Sequence, residues 1–381
     1  MRHLFTGFLV ALLAGCSASK QLTDGHLAYN EAVRQSADQE LLLNIVRLRY
    51  LEPMEFLSIA AINSTVEFSV EMQVGAGRSA GENAVNTMAT AGYSVNPTFS
   101  FVPQRGGDFS DRLIQPMDIP TLVSITASHR DAHLVFRLFV TWMNGLHNQE
   151  GKVDPEFIQA TRALTELQFE GIALFGFREQ KRVVAPPVAA ADLDPALIVE
   201  AHKAGLEIRQ ESGDNGLEFT EPYQQAMLSI DGESPQRSSL AETLMLSPGA
   251  DHFPIVSKLE FKEDLDGREL SVRTRSLLQT LSFLSQGIEV PPEDGTTIPV
   301  SQLPHTSVDP RFMDGFFRVW YSQQEPEHAS LAVPYGEGWF YIRDSDAASK
   351  RTFLLVSEAF RFTLEGNADQ APTLTFPVGG G

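Results

Sequence analysis

The chain has 381 residues, 43% of them hydrophobic, with 49 acidic against 29 basic side chains and a formal net charge of −20. So acidic a balance argues against a nucleic-acid partner, because a phosphate backbone needs a basic surface, and it favours solubility over adsorption to anionic lipid. The length suffices for one large domain or two ordinary ones with ample cores, and the single cysteine excludes an internal disulfide.

The N-terminus starts with Arg2 and His3, continues as an apolar run from Leu4 to Leu13 interrupted by Thr6 and Gly7, and reaches Ala14 and Gly15 before Cys16. A positive start, an apolar stretch too short for about 30 Å of hydrocarbon, and small residues at its end are the parts of an export signal. Leu13-Ala14-Gly15-Cys16 resembles the lipobox of bacterial lipoproteins. The resemblance implies that residues 1–15 are removed and that Cys16 carries diacylglycerol, with further acylation of its new amino group. Membrane lipid is then a partner. Ser17 in place of Asp after the cysteine implies sorting to the outer membrane; the protein is expected to face the periplasm there, with exposure at the cell surface left open as the alternative. Two or more acyl chains give a stable anchor where one is marginal, at about 0.8 kcal/mol per buried methylene. The alternative, an ordinary secretory signal with a chance cysteine, leaves the only thiol of an exported chain without a role.

Residues 16–35 are polar and mixed, and are expected to form a lipidated tether with a short helix near Tyr29 to Val33. Ser36-Ala37-Asp38-Gln39 has the form of a capping box, which predicts a helix to about Tyr50 with Leu41, Leu42, Ile45, Val46 and Leu48 on its apolar side, stopped by Pro53. Arg47 and Arg49 are unusual on so apolar a helix. They are candidates for contact with an anionic partner, or for structural ion pairs with some of the many carboxylates.

Next comes the most regular stretch of the sequence. From Thr65 to Gly75, Val66, Phe68, Val70, Met72 and Val74 alternate with Thr65, Glu67, Ser69, Glu71 and Gln73. After a Gly/Ser/Asn-rich stretch expected to be a loop, Ala91, Tyr93, Val95, Pro97, Phe99 and Phe101 alternate with Gly92, Ser94, Asn96, Thr98 and Ser100. Period-2 alternation of this kind predicts two strands, joined as a long protruding antiparallel hairpin over 64–103.

Further on, helices are expected at Ile119 to Ala127, Asp131 to Asn144 with Gly145 as its stop, and Pro155 to Phe169. Asp154-Pro155 and Asp194-Pro195 each look like an N-cap followed by proline at the first helical position. Val183 to Asp194, rich in Ala and Pro, is the candidate linker between a region 36–182 and a C-terminal region 195–381. There, strands are expected at Leu206 to Arg209, Ile255 to Phe261 and Leu270 to Thr274, the latter two joined by a turn at Asp266-Gly267. A helix follows from Ser276 to Gln286, then strands at Phe316 to Tyr321, Ser330 to Pro334 and Trp339 to Ile342, a helix from Ala347 to Leu364, and a short strand at Thr373 to Phe376. The whole predicts an α+β fold of mixed helices and antiparallel sheet.

Leu42-Leu43-Asn44-Ile45-Val46-Arg47-Leu48-Arg49-Tyr50, Pro97-Thr98-Phe99-Ser100-Phe101, Gly338-Trp339-Phe340-Tyr341-Ile342, Ser349-Lys350 and Leu374-Thr375-Phe376-Pro377-Val378-Gly379 resemble blocks of a family of proteobacterial lipoproteins. That family brings no known activity, so chemistry has to be argued from residues. Gly77-Arg78-Ser79-Ala80-Gly81 matches the serine hydrolase elbow, which needs a buried parallel strand before the serine and a helix after it. The preceding strand carries Glu67, Glu71 and Gln73 on one face, so a hairpin tip is the better reading. His129 and His133 are four apart, as zinc ligands on one helix face would be, but Arg130 stands where a metalloprotease has Glu and the pair falls at a helix start. Asp264 and Asp266 before Gly267 lack the later ligands of a calcium loop. No cofactor, metal or catalytic constellation is therefore expected.

The expected role is a non-enzymatic assembly or binding component of the envelope, as a homo-oligomer or in a protein complex. Two readings of the hairpin stay open. Its length and alternation suit membrane strands, with Val66, Phe68, Val70, Met72, Val74, Tyr93, Val95, Phe99 and Phe101 toward lipid or a neighbouring copy, in a barrel closed by several subunits. They suit equally a soluble hairpin with one face on a periplasmic core.

Overall fold

The computed structural model describes residues 30–79, 82–103, 107–149, 152–189, 195–210, 216–258, 266–290 and 310–365. Within them helix α1 runs without a break over residues 30–49, so the serine of the expected capping box lies inside a helix that starts earlier. Arg34 explains the extension. It bridges Glu31 one turn back at 3.0 Å and Asp38 one turn on at 2.8 Å, the ladder of pairs that supports an exposed first turn. Leu42, Ile45 and Val46 are fully buried. Before Pro53 is reached, the helix is closed by a left-handed Leu51 (φ 61°), with Glu52 N–H bonded to Arg47 O at 2.9 Å and Leu51 N–H to Leu48 O at 3.3 Å.

The fold is α+β and divides into two compact units, Met1–Glu52 with Leu113–Ala359 and Pro53–Arg112 with Phe360–Gly381. The second unit holds strands β1 (Leu57–Ser79) and β2 (Glu82–Pro103), which make a two-stranded antiparallel sheet, and helix α2 (Gly107–Ile114) as far as Arg112. Phe56 packs on Phe109 and Phe360 with ring centroids 5.7 and 4.7 Å apart.

The first unit is built on an eight-stranded mixed sheet. In chain order it contains α3 (Ile119–His129), α4 (Ala132–Phe139), β3 (Val140–Met143), β4 (Leu146–Gln149), β5 (Lys152–Val153), α5 (Pro155–Phe169), β6 (Ala173–Ala189), α6 (Pro195–Lys203), β7 (Glu207–Gln210), β8 (Gly216–Ile230), α7 (Pro235–Thr243), β9 (His252–Ser257), β10 (Leu270–Thr274) and α8 (Leu277–Ser285). The strand order is β5-β4-β3-β10-β9-β8-β6, with β7 pairing on β8. A separate sheet ordered β11-β13-β12 (Trp320–Ser322, Gly338–Arg343, Ala329–Tyr335) precedes α9 (Ala347–Glu365).

Several sequence expectations are corrected here. The helix expected over Asp131 to Asn144 stops at Phe139, and Val140–Met143 is a strand. Asn144 (φ 42°) and Gly145 (φ 89°) form the two-residue hairpin turn that needs positive φ at both positions, and that turn outweighs the helical spacing of Leu138 and Trp142. β9 and β10 are parallel, Leu270 facing Ile255, so the turn at Asp266-Gly267 does not join them as a hairpin. Residues 258–269 supply the long connection that parallel neighbours need. Val183 to Ala189, expected to open a linker, is the outer part of β6 and is paired with β8. Asp194, Asp264 and the strand expected at Thr373 to Phe376 lie outside the described residues, as do Leu13 to Ser17.

Candidate functional site

The β1–β2 ribbon brings most of the candidate residues together. Its pairing runs from Leu57 opposite Pro103 to Ser79 opposite Glu82, broken only by a register shift between Ile59 and Ala61. The Gly/Ser/Asn-rich stretch expected as a loop is therefore mostly ladder, with Gly75 opposite Asn86 and Gly77 opposite Ala84. A backbone ladder needs no side chains, and small residues do not break it. At the usual rise, 23 residues make a strand about 75 Å long, against about 9 to 11 residues for a tilted membrane strand.

The register decides which faces coincide. Val66 stands opposite Val95, Phe68 opposite Tyr93, Val70 opposite Ala91, Met72 opposite Ala89, Val74 opposite Thr87 and Ile62 opposite Phe99. Directly opposed residues share a face, so the two apolar alternations are in phase and form one apolar face. The other face carries Thr65 with Asn96, Glu67 with Ser94, Ser69 with Gly92 and Glu71 with Thr90. A slip of one residue would have put each apolar row opposite a polar one. Phe101 faces Ile59, at the register shift. Because the sheet has only two strands, each strand has one outer edge with no strand beside it among the described residues. About half the backbone N–H and C=O groups of each strand point to that edge.

The remaining candidates are dispersed. Ser79 is the last residue of an antiparallel strand, opposite Glu82, and not at a strand-to-helix turn. His129 and His133 fall on different helices, separated by Arg130 in the left-handed region and by the N-cap Asp131. The His129 Nε2 lies 3.1 Å from Glu358, and the His133 Nδ1 is 2.9 Å from the Thr161 hydroxyl. Burial, then the charges of Arg137 and Arg162, push the His133 imidazole down to about 4 against a weaker opposing pull from Asp131. Asp266 accepts from Arg268 N–H at 2.9 Å and makes a tight turn with Gly267. Among the described residues no group of three or more His, Cys, Asp or Glu could hold a metal, and no helix is long and apolar enough to cross a membrane. Arg47 and Arg49 are half-buried at the C-terminal end of α1, where a cation complements the helix dipole. Arg47 donates to Asn44 Oδ1 at 3.2 Å, and burial lowers the Arg49 pKa.

Two cationic features were not singled out from sequence. Arg275, almost fully buried, donates to the carbonyls of Arg137 and Leu138 at 2.9 and 2.8 Å and to that of Asn148, with Phe283 3.9 Å below its Cζ. It caps the last turn of α4, whose carbonyls have no helical partner. The Arg318 and Arg343 guanidiniums both lie over Trp320, at 3.9 and 3.4 Å. Neither pairing has a local signal, since each depends on residues far apart in sequence or on strand register. No protein-family model, curated protein or solved structure matches the chain.

Proposed function

We propose that the chain is a lipid-anchored component of the outer membrane, facing the periplasm, that works without catalysis by assembling with further copies of itself through the β1–β2 ribbon. The observation that carries this reading is the ribbon's combination of a full-length ladder with two outer edges that no other strand among the described residues covers. A lone two-stranded ribbon is marginal in water, and long open edges are the usual template for pairing with another chain. The anchor is argued from the sequence around Cys16 alone. Its test is metabolic labelling with palmitate: label enters the wild type and is lost in Cys16→Ser, together with sedimentation in the envelope fraction. The assembly is tested by the native mass after gentle detergent extraction, which is expected to be several chains; a monomer refutes it.

The in-phase faces favour a second reading, in which the assembled ribbons close into a pore. Unpaired backbone groups cost several kcal/mol each in hydrocarbon, so a ribbon can enter a membrane only when its edges are closed by neighbours. Conductance of the extracted complex in planar bilayers, absent for chains lacking residues 57–103, is the expected result; a silent oligomer refutes the pore and leaves the assembly standing.

A further inference from the structure

Resting on the reading that copies assemble through the ribbon, we infer that the contact is heterologous: the outer edge of β1 in one copy pairs antiparallel with the outer edge of β2 in the next, staggered by two residues. The ribbons then close into an up-and-down barrel with the Val66–Val74 face outward.

Three features select this arrangement. The first is length. β1 has 23 residues and β2 has 22, so a β1-to-β2 contact between copies can run the full ladder and close both edges of every copy. A two-fold contact of β1 with β1 closes one edge and leaves the whole of β2 open in both copies. Head-to-tail contacts of this kind make rings when the rotation closes.

The second is phase. Above the register shift, pairs within the ribbon always join residues of opposite parity, even-numbered apolar positions of β1 to odd-numbered positions of β2 and odd-numbered polar positions to even-numbered ones. A neighbour keeps its apolar face on the same side only if it repeats that parity, so slippage between copies is confined to steps of two residues.

The third is tilt. Closed sheets have strands inclined by about 35–45° to the axis, and stagger and tilt are linked. No stagger leaves the strands upright. Two residues per copy is a shift of about 6.7 Å across two strand spacings totalling about 9.6 Å, a tilt of about 35°. Four residues give about 54°, outside the observed range. Asn96, opposite Thr65 in its own ribbon, therefore stands opposite Asn63 or Glu67 of the next copy, according to the direction of the stagger. All three positions are on the polar face.

The lone native cysteine makes the contact directly measurable, since a lipidated Cys16 leaves any introduced thiol as the only free one. Two differently tagged full-length chains are produced together in their own membrane, one carrying Asn96→Cys and the other Asn63→Cys or Glu67→Cys, and treated with a short thiol cross-linker. One of the two combinations is expected to give a species bearing both tags, and each variant alone is expected to give none. Cross-links between identical variants, or no mixed species from either combination while the native mass remains that of several chains, overturn the heterologous contact but not the assembly. A monomeric extract overturns the underlying assembly reading and the contact with it. Thr65→Cys with Asn96→Cys in one chain is expected to cross-link internally; its failure shows that the ribbon itself is not formed in the membrane and also overturns the inference.

Discussion

Replacing Asn144 with alanine should be among the most damaging single changes in the sheet unit. The residue is 1% exposed and takes φ 42° in the β3–β4 turn. Its Nδ2 donates to Leu244 O at 2.8 Å and, more weakly, to Glu269 O at 3.3 Å, while its Oδ1 accepts from Ser271 N–H at 2.7 Å. One side chain thus ties the turn to the end of α7 and to β10. Asn144→Ala leaves the buried Ser271 N–H and Leu244 C=O unsatisfied, at about 1–3 kcal/mol for each, and places alanine in the left-handed region at a further ~1 kcal/mol. The total is about 4 kcal/mol, a large share of the 5–15 kcal/mol typical of a folded domain. The assay is urea unfolding of a chain beginning at residue 16 and carrying Cys16→Ser, followed by tryptophan fluorescence. With a slope of about 3 kcal/mol per molar, the midpoint falls by about 1.3 M. Asn144→Gly removes the same bonds but not the backbone freedom, and should recover about 1 kcal/mol of the loss. A midpoint moved by less than about 0.3 M, or glycine proving worse than alanine, refutes the argument that these bonds hold the corner.

Two further outcomes follow from the same unit. His133 is held at about 4, below its unfolded value near 6.5, so the unfolded chain takes up the proton first. Its contribution is complete above about pH 6.5 and is lost as pH falls toward 4, amounting to about 2 kcal/mol after allowance for its partial exposure. His133→Gln should flatten the dependence of the urea midpoint on pH in that window, and an unchanged slope refutes the assignment. At Gly267, with φ 72°, an added Cβ would sit 2.9 Å from Met245 O and Ser247 N, both backbone atoms. Gly267→Ala should cost about 3 kcal/mol, from strain and forced displacement together, and a thermal midpoint equal to wild type refutes it.

The elements legible in the sequence were those whose local signals agree. Asp154-Pro155 marked the start of α5. Ser276 and Gln279 form a reciprocal capping box at α8, with Ser276 N–H bonded to Gln279 Oε1 at 2.9 Å and Gln279 N–H to Ser276 Oγ at 3.1 Å. What stayed hidden was decided by tertiary structure. The outer part of β6, from Phe177 to Val184, is almost wholly exposed on both faces, so Arg178, Glu179, Gln180, Lys181 and Arg182 carry no period. The parallel sense of β9 and β10 is likewise invisible, because alternation looks the same in either direction. At the candidate site, alternation assigned the residues of each strand to faces. Only the register between the strands shows that the two apolar faces are one.

The chain's first described helix is held by residues synthesised some three hundred positions later. Gln39 Nε2 donates to Ala332 O at 3.1 Å, and Asp38 accepts from the Ser357 hydroxyl at 2.9 Å. In synthesis from the N-terminus, α1 therefore has to wait for Ala332 and Ser357 to emerge before both bonds can form. A chain truncated ahead of α9 would keep the bond to Ala332 but lack the one from Ser357. Docking of α1 thus reports whether the growing chain has been made at least as far as Ser357.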